Sequence, residues 1–258
     1  MKAIITSITF SAIALGGAIL LLSQSGIYAQ DNSDGAILQG LGANAGELPQ
    51  TGLYVPSTPE TVMWGALPNR DARALLSVAS GAIVTFDTVS HEGILEDQGR
   101  DPARYFAQHG VSSDQVLDDA SAIAASNLSH DYAADGPHVV TGPIAIEGAM
   151  PGDVLKIEIL ALLPRVPYGV ISSRHGKGAL PGEFPENAGP QPGASAAQME
   201  LYNNVSVFTE IKDVAGVPSA ILHDRNRDEI VFAIDPFMGI MGVAPDTSET
   251  VNSIPPAE

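Results

Sequence analysis

Two histidine–glutamate combinations stand out as groups able to move protons or hold a cation. His91 and Glu92, in Ser90-His91-Glu92-Gly93, follow a stretch that reads as a strand. A His beside a Glu at a strand end, with Gly allowing close approach, can ligate a metal or act as a base. A solvated His–Glu pair is the plainer alternative. His138 lies in Gly136-Pro137-His138-Val139-Val140-Thr141-Gly142-Pro143, which leads to Glu147-Gly148. The prolines stiffen the backbone around His138, and Gly142 and Gly148 admit close backbone contact. Glu147 belongs to a mostly apolar strand, where an unpaired buried carboxylate is costly. It is a candidate base or ligand, unless it points outward.

Two further stretches carry weaker signals. Ser172-Ser173-Arg174-His175-Gly176-Lys177-Gly178 is basic within an acidic chain, and suits an anion, a pocket rim or an ordinary turn. The apolar, glycine-spaced stretch 237–245 reads most simply as a buried turn. No nucleophile elbow, phosphate loop, HExxH zinc motif or dinucleotide fingerprint is present. The absence of cysteine removes thiol catalysis, cysteine-based zinc sites and disulfides together.

Composition sets the frame that must hold these groups. Of 258 residues, 45% are hydrophobic and 16% charged, with 26 Gly and 19 Pro. That mix favours a β-rich, loop-rich globule over a helical bundle. Thirty acids against 12 bases give a net charge of -18, which repels phosphate backbones and excludes nucleic acid as a partner.

Along the chain, residues 30–70 read as a loose N-terminal arm with Trp64 as its anchor. Two short apolar runs, 74–78 and 82–86, read as strands joined by a tight connection at Ser80-Gly81. Asp101-Pro102 opens a helix that runs to His109 and is stopped by Gly110. Ser112 and Gln115 have capping-box spacing ahead of a second helix through Val116, Leu117, Ala120, Ile123 and Ala124, ending near Ser126. Beyond Val139 the pattern is β. Val154, Ile157 and Ile159 give the clearest half-buried strand, and 205–211 and 230–234 give two more. Residues 177–198 read as a long surface loop.

Residues 1–29 have the layout of a secretory signal peptide: Met1-Lys2, an apolar run over 3–22, and Ile27-Tyr28-Ala29 before a cleavage point. Cleavage gives a mature start at Gln30 and a periplasmic or secreted protein with no membrane contact. An uncleaved anchor is the alternative, because the run approaches the ~20 residues that span a bilayer.

Ordered segments of the chain resemble one known family. Thr141-Gly142-Pro143-Ile144, then Ile146-Glu147-Gly148-Ala149-Met150-Pro151-Gly152-Asp153-Val154-Leu155, is similar to the signature of the acetamidase/formamidase family. Pro236-Phe237-Met238-Gly239, Met241-Gly242-Val243-Ala244-Pro245 and Ser253-Ile254-Pro255-Pro256 resemble its later segments. The resemblance implies a jelly-roll-like β-sandwich with a small helical insertion, formed by residues 71–258 and incomplete at the C-terminus. It also implies a metal-dependent amidase that converts short amides such as formamide or acetamide to a carboxylate and ammonia. The cofactor would be a divalent ion, zinc or calcium, and the partners a small amide substrate and either further copies of the chain or a complementing C-terminal chain. In that frame Glu147 and His138 are catalytic, His91 and Glu92 bind the metal, and Thr141, Gly142 and His175 shape the substrate pocket. The family's later G-G-N-x-D and G-D-x-H motifs are not in the sequence, so the chain resembles the N-terminal part of such an enzyme. An exported β-sandwich that binds without catalysis is the alternative.

Overall fold

The structure, a computed structural model, describes residues 2–4, 37–40, 53–132, 134–173, 180, 183–186 and 205–253. It is mainly β, with a small helical insertion. Most of the signal-peptide stretch, His175 and the loop at 177–198 lie outside the described residues, apart from Lys2–Ile4 and a few positions of the loop.

Short strands build the first half: β1 (Lys2–Ile4), β2 (Tyr54–Val55), β3 (Val62–Trp64), β4 (Ala66–Leu67), β5 (Ser77–Val78) and β6 (Thr85–Phe86). The helical insertion follows, with α1 (Pro102–Ala107) and α2 (Asp118–Ala125). Next come β7 (Val139–Thr141), β8 (Ile144–Ile146) and β9 (Tyr168–Ser173). The second half holds β10 (Val205–Val214), β11 (Val217–His223), β12 (Glu229–Ala233), β13 (Gly242–Val243) and β14 (Val251–Asn252). One four-stranded sheet has the order β13-β1-β8-β5, a second the order β12-β11-β10-β9, and three strand pairs complete the set.

Several expectations change here. β5 and β6 form, but they do not pair with each other. β5 runs parallel to β8, and β6 runs parallel to β2. The arm is part of the folded unit from Leu53 onward: β2, β3 and β4 pair with β6, β7 and β14, and Val55, Val62 and Trp64 are buried. Residues 154–159 form no strand. Leu155 and Ile157 turn inward onto the cluster around Ile144, while Val154 is 94% exposed. The stretch has the period of a strand but pairs with none of the described strands.

The helices follow local chemistry closely. The Asp101 carboxylate caps α1 by accepting from the Arg104 N–H, with Pro102 at the first position. The Ser112–Gln115 capping box is present, but it closes a separate 3-10 turn ahead of α2. α2 begins instead with Asp118 and Asp119 against its positive end, and buries Ala120, Ile123 and Ala124 on one face. That face packs against Val62, Trp64, Val89, Ile94, Leu95 and Val139.

Candidate functional site

β3 and β7 pair antiparallel, Val62 with Thr141 and Trp64 with Val139, which places His138 just before a fully buried strand. The His138 N–H lies 3.3 Å from the Ser253 hydroxyl, and its carbonyl accepts from the Gly65 N–H at 2.9 Å. The ring is fixed as well. Nδ1 lies 2.7 Å from the Ser253 carbonyl oxygen, which only accepts, so Nδ1 carries the proton and Nε2 is the basic nitrogen. Burial lowers the His138 pKa, and the neighbouring His91 lowers it further against the opposing pull of the Ser253 carbonyl. The shift favours the neutral ring.

His91 meets His138 edge to face, with ring centroids 5.2 Å apart. Beside it, the Glu92 carboxylate is buried. Its Oε2 accepts from Gln98 Nε2 at 2.7 Å, and its Oε1 accepts from the Ser172 hydroxyl of β9. His91 Nε2 lies 3.4 Å from the same Oε1. Gly93 is required next in the chain. Its φ is +90°, and a Cβ there would come within 2.7 Å of Phe106. Its N–H donates to Gln98 Oε1 at 2.6 Å, which turns the Gln98 amide nitrogen toward Glu92.

The structure brings together His91, Glu92 and His138, and does not add Glu147 to them. Glu147 is exposed, with its N–H bonded to the Val78 carbonyl. It lines an open pocket of about 440 Å³ between the Ser80-Gly81 turn and residues 146–149 and 153–156, and neither histidine lines that pocket. Thr141 is buried, and its hydroxyl donates to the Asp87 carbonyl at 3.1 Å and meets the Ser57 hydroxyl at 2.9 Å. It joins three segments instead of facing a cleft. Gly142 takes a φ of +126°, so its role is the turn between β7 and β8. Sequence reading gave no role to Gln98 or Ser253, and met Ser172 only inside the basic stretch. Only the fold brings these partners to Glu92 and His138.

Among the described residues, the donor set does not fit a resident divalent ion. A structural or catalytic zinc takes about three or four protein ligands. Among the described residues, no group of three or more His, Asp or Glu side chains could hold a metal. His91 and His138 offer two imidazoles, and the buried Glu92 carboxylate accepts from Gln98 and Ser172. What the arrangement does offer is two imidazoles in contact, one with a basic nitrogen fixed by a carbonyl and the other beside a buried carboxylate.

Comparison with known proteins places the chain in a family. Searches of curated proteins and of solved structures returned no match. The family model described as the Acetamidase/Formamidase family matches residues 108–253, which include His138, Ser172 and Ser253. With more than half of its length covered by that match, the chain belongs to the acetamidase/formamidase family.

Proposed function

We propose that the protein hydrolyses the C–N bond of short linear amides, of the formamide or acetamide type, to a carboxylate and ammonia. Family membership supports the reaction class. The observation that carries the assignment to residues is the His91–His138 contact with the His138 tautomer locked by Ser253. In this reading His138 Nε2 accepts a proton from water as the water oxygen bonds to the amide carbon. The same imidazolium then returns that proton to the nitrogen as the C–N bond breaks, so ammonia and the carboxylic acid leave with atoms balanced. A positioned base and acid of this kind contributes roughly 10²- to 10⁴-fold.

The sequence of residues 1–29, with the layout of a secretory leader, favours action in the periplasm or medium, and the net charge of -18 suits a small neutral substrate. A zinc or calcium ion, implied by the family, has no complete ligand set among the described residues, so no step is routed through it.

The test is ammonia release over a panel of amides by the whole chain and by three variants. His138→Asn should lose about a hundredfold or more in kcat, whereas Glu147→Gln should retain most activity. An active His138→Asn enzyme would remove the assignment. An inactive Glu147→Gln enzyme with an active His91→Asn partner would move the chemistry to the pocket at Glu147.

A further inference from the structure

We infer that two copies of the chain pair through the outer edge of β12, antiparallel about a two-fold axis at Val231, and so join their two β12-β11-β10-β9 sheets into one. The inference stands apart from the amide reading.

The backbone sets the pairing groups. The Ile234 N–H donates to the Pro218 carbonyl at 3.0 Å, and the Asp224 N–H donates to the Asp228 carbonyl at 3.0 Å. Residues 228, 230, 232 and 234 therefore turn their backbone groups toward β11. Alternation leaves the N–H and C=O of Glu229, Val231 and Ala233 on the outer edge, symmetric about Val231. Among the described residues no strand pairs with that edge. Sheet edges are commonly blunted by lysine, proline or a bulge. Glu229–Ala233 has none of these: its ladder with β11 is unbroken and its one charge is Glu229.

Side chains select both the occupant and the register. With the axis at Val231, Glu229 stands opposite Ala233 of the second copy, and Ile230 opposite Phe232 of the second copy. The Ile230 and Phe232 positions are not hydrogen-bonded in the new ladder, so their side chains approach most closely, and both are exposed in the single chain. Arg227 and Asp235 are exposed and equally far from Val231 along the sequence. The two-fold axis therefore brings Arg227 of each copy toward Asp235 of the other, at both ends of the ladder. The adjacent registers that use the same backbone groups lose this match. With the axis at Ile230, Phe232 opposes the Asp228 carboxylate. With the axis at Phe232, Glu229 opposes Asp235, and like charges directly opposite are destabilising. The strand is thus complementary to its own reversed copy, which is the property of a two-fold interface. β9, which carries Ser172 to Glu92, lies at the far edge of each sheet, away from the new ladder.

The experiment uses the full chain in two arms. The protein has no cysteine, so Val231→Cys supplies a single thiol. Two such residues at the axis lie about 5.5 Å apart between Cα atoms, within disulfide reach, and mild oxidation should trap a covalent dimer. Glu229→Cys, whose thiol stands opposite Ala233 and not opposite itself, should cross-link far less. In the second arm, sedimentation reads self-association of charge reversals. Arg227→Asp and Asp235→Arg should each weaken it roughly tenfold, because two attractive contacts become repulsive. An equimolar mixture of the two variants should associate again, and so should the double reversal in one chain, since every contact then joins opposite charges. A wild-type chain that stays monomeric would overturn the inference. Equal cross-linking of Val231→Cys and Glu229→Cys would overturn it too, as would single reversals that associate like wild type.

Discussion

Residues 53–141 and the sheet of residues 168–233 are held by different means. In the first region the strands are two or three residues long, so backbone ladders contribute little. Side chains do the joining instead. Ile94, Leu95 and Ile123 are nearly or fully buried in one apolar cluster. Thr141 ties Ser57 to Asp87, and His130 lies between Glu96 and the Gly136 carbonyl while stacking on Trp64 at 4.4 Å. In the second region the ladders are long. β10 pairs with β9 from Val205 to Glu210, and β11 pairs with β12 from Ser219 to His223. Residues opposite one another share a face, and one such face shows Ile171, Val207, Ile230 and Phe232 to solvent. Backbone hydrogen bonding holds this sheet together without full cover. The first region should therefore be sensitive to side-chain changes, and the second tolerant of them.

The largest test of that contrast is Ile123→Ala against Phe232→Ser. Ile123 is 0% exposed, and truncating a buried isoleucine removes about 2–5 kcal/mol through lost transfer energy and a residual cavity. Phe232 is 41% exposed, and its replacement should change stability by within about 0.5 kcal/mol. Urea unfolding of both variants checks the pair, and equal losses would erase the distinction.

A smaller effect is expected at Thr141→Val. The change preserves shape but removes the hydroxyl, leaving the buried Ser57 hydroxyl without that contact and the Asp87 carbonyl without that donor. Loss of a buried partner costs about 1–3 kcal/mol. A shift in the denaturant midpoint without a change in slope would confirm a local loss. No shift would mean that water replaces the hydroxyl.

The His130–Glu96 pair gives the same region a pH dependence. Burial opposes charge on His130, but the bonds to Glu96 and the Gly136 carbonyl, with the nearby acids, outweigh it and raise its pKa above 6.5. Burial likewise pushes Glu96 up, and the His130 bond, its own backbone N–H and the charges of His130 and Arg100 bring it below 4.5. The raised His130 contributes stability that is complete below 6.5 and is lost as pH rises through its folded value. The lowered Glu96 contributes stability present above 4.5 and lost as pH falls through its folded value. The pair should thus support the fold best between 4.5 and 6.5. The stability difference between wild type and His130→Gln should shrink above that window. A difference independent of pH would show that His130 is neutral in the fold.

How much of this was readable in the sequence depends on how local each cause is. α1 is signalled by Asp101-Pro102 and α2 by the spacing of Ala120, Ile123 and Ala124, because caps and faces are set within a few residues. β10 and β12 are legible as apolar runs. The pairing of β5 with β8 and of β6 with β2 is not, since a strand's partner is chosen by the whole fold. Residues 154–159 show the same limit: alternation gives an extended chain, but only a free neighbouring edge makes it a strand. At the site, His91, Glu92 and His138 are visible as residue types beside glycines and prolines. Their holders, Gln98, Ser172 and Ser253, are ordinary polar residues whose role comes from distance in space. The acid of the family-like signature, Glu147, was legible as a motif, yet its place in a different pocket was not.

The smallest expected change in stability comes from Val231→Lys on β12, and it probes the second region from the other direction. Among the described residues β12 is the outer strand of its sheet, and all five of its residues are exposed. Val231 is 45% exposed and faces Ile221 across the ladder, so a lysine there can extend its stem along the sheet and keep its charge in water. The fold should hold within about 0.5 kcal/mol. Association should respond far more strongly. An open edge flanked by Ile230 and Phe232 invites another strand, and a lysine on such an edge blocks pairing by placing a charge where an apolar neighbour would dock. Wild type should therefore show concentration-dependent light scattering that Val231→Lys reduces, while Ile123→Ala increases it by populating unfolded chains. A Val231→Lys variant that loses several kcal/mol would show that β12 is packed against a cover and that the sheet depends on side chains after all. A variant equal to wild type in both stability and scattering would show that the edge is open but does not recruit a second chain.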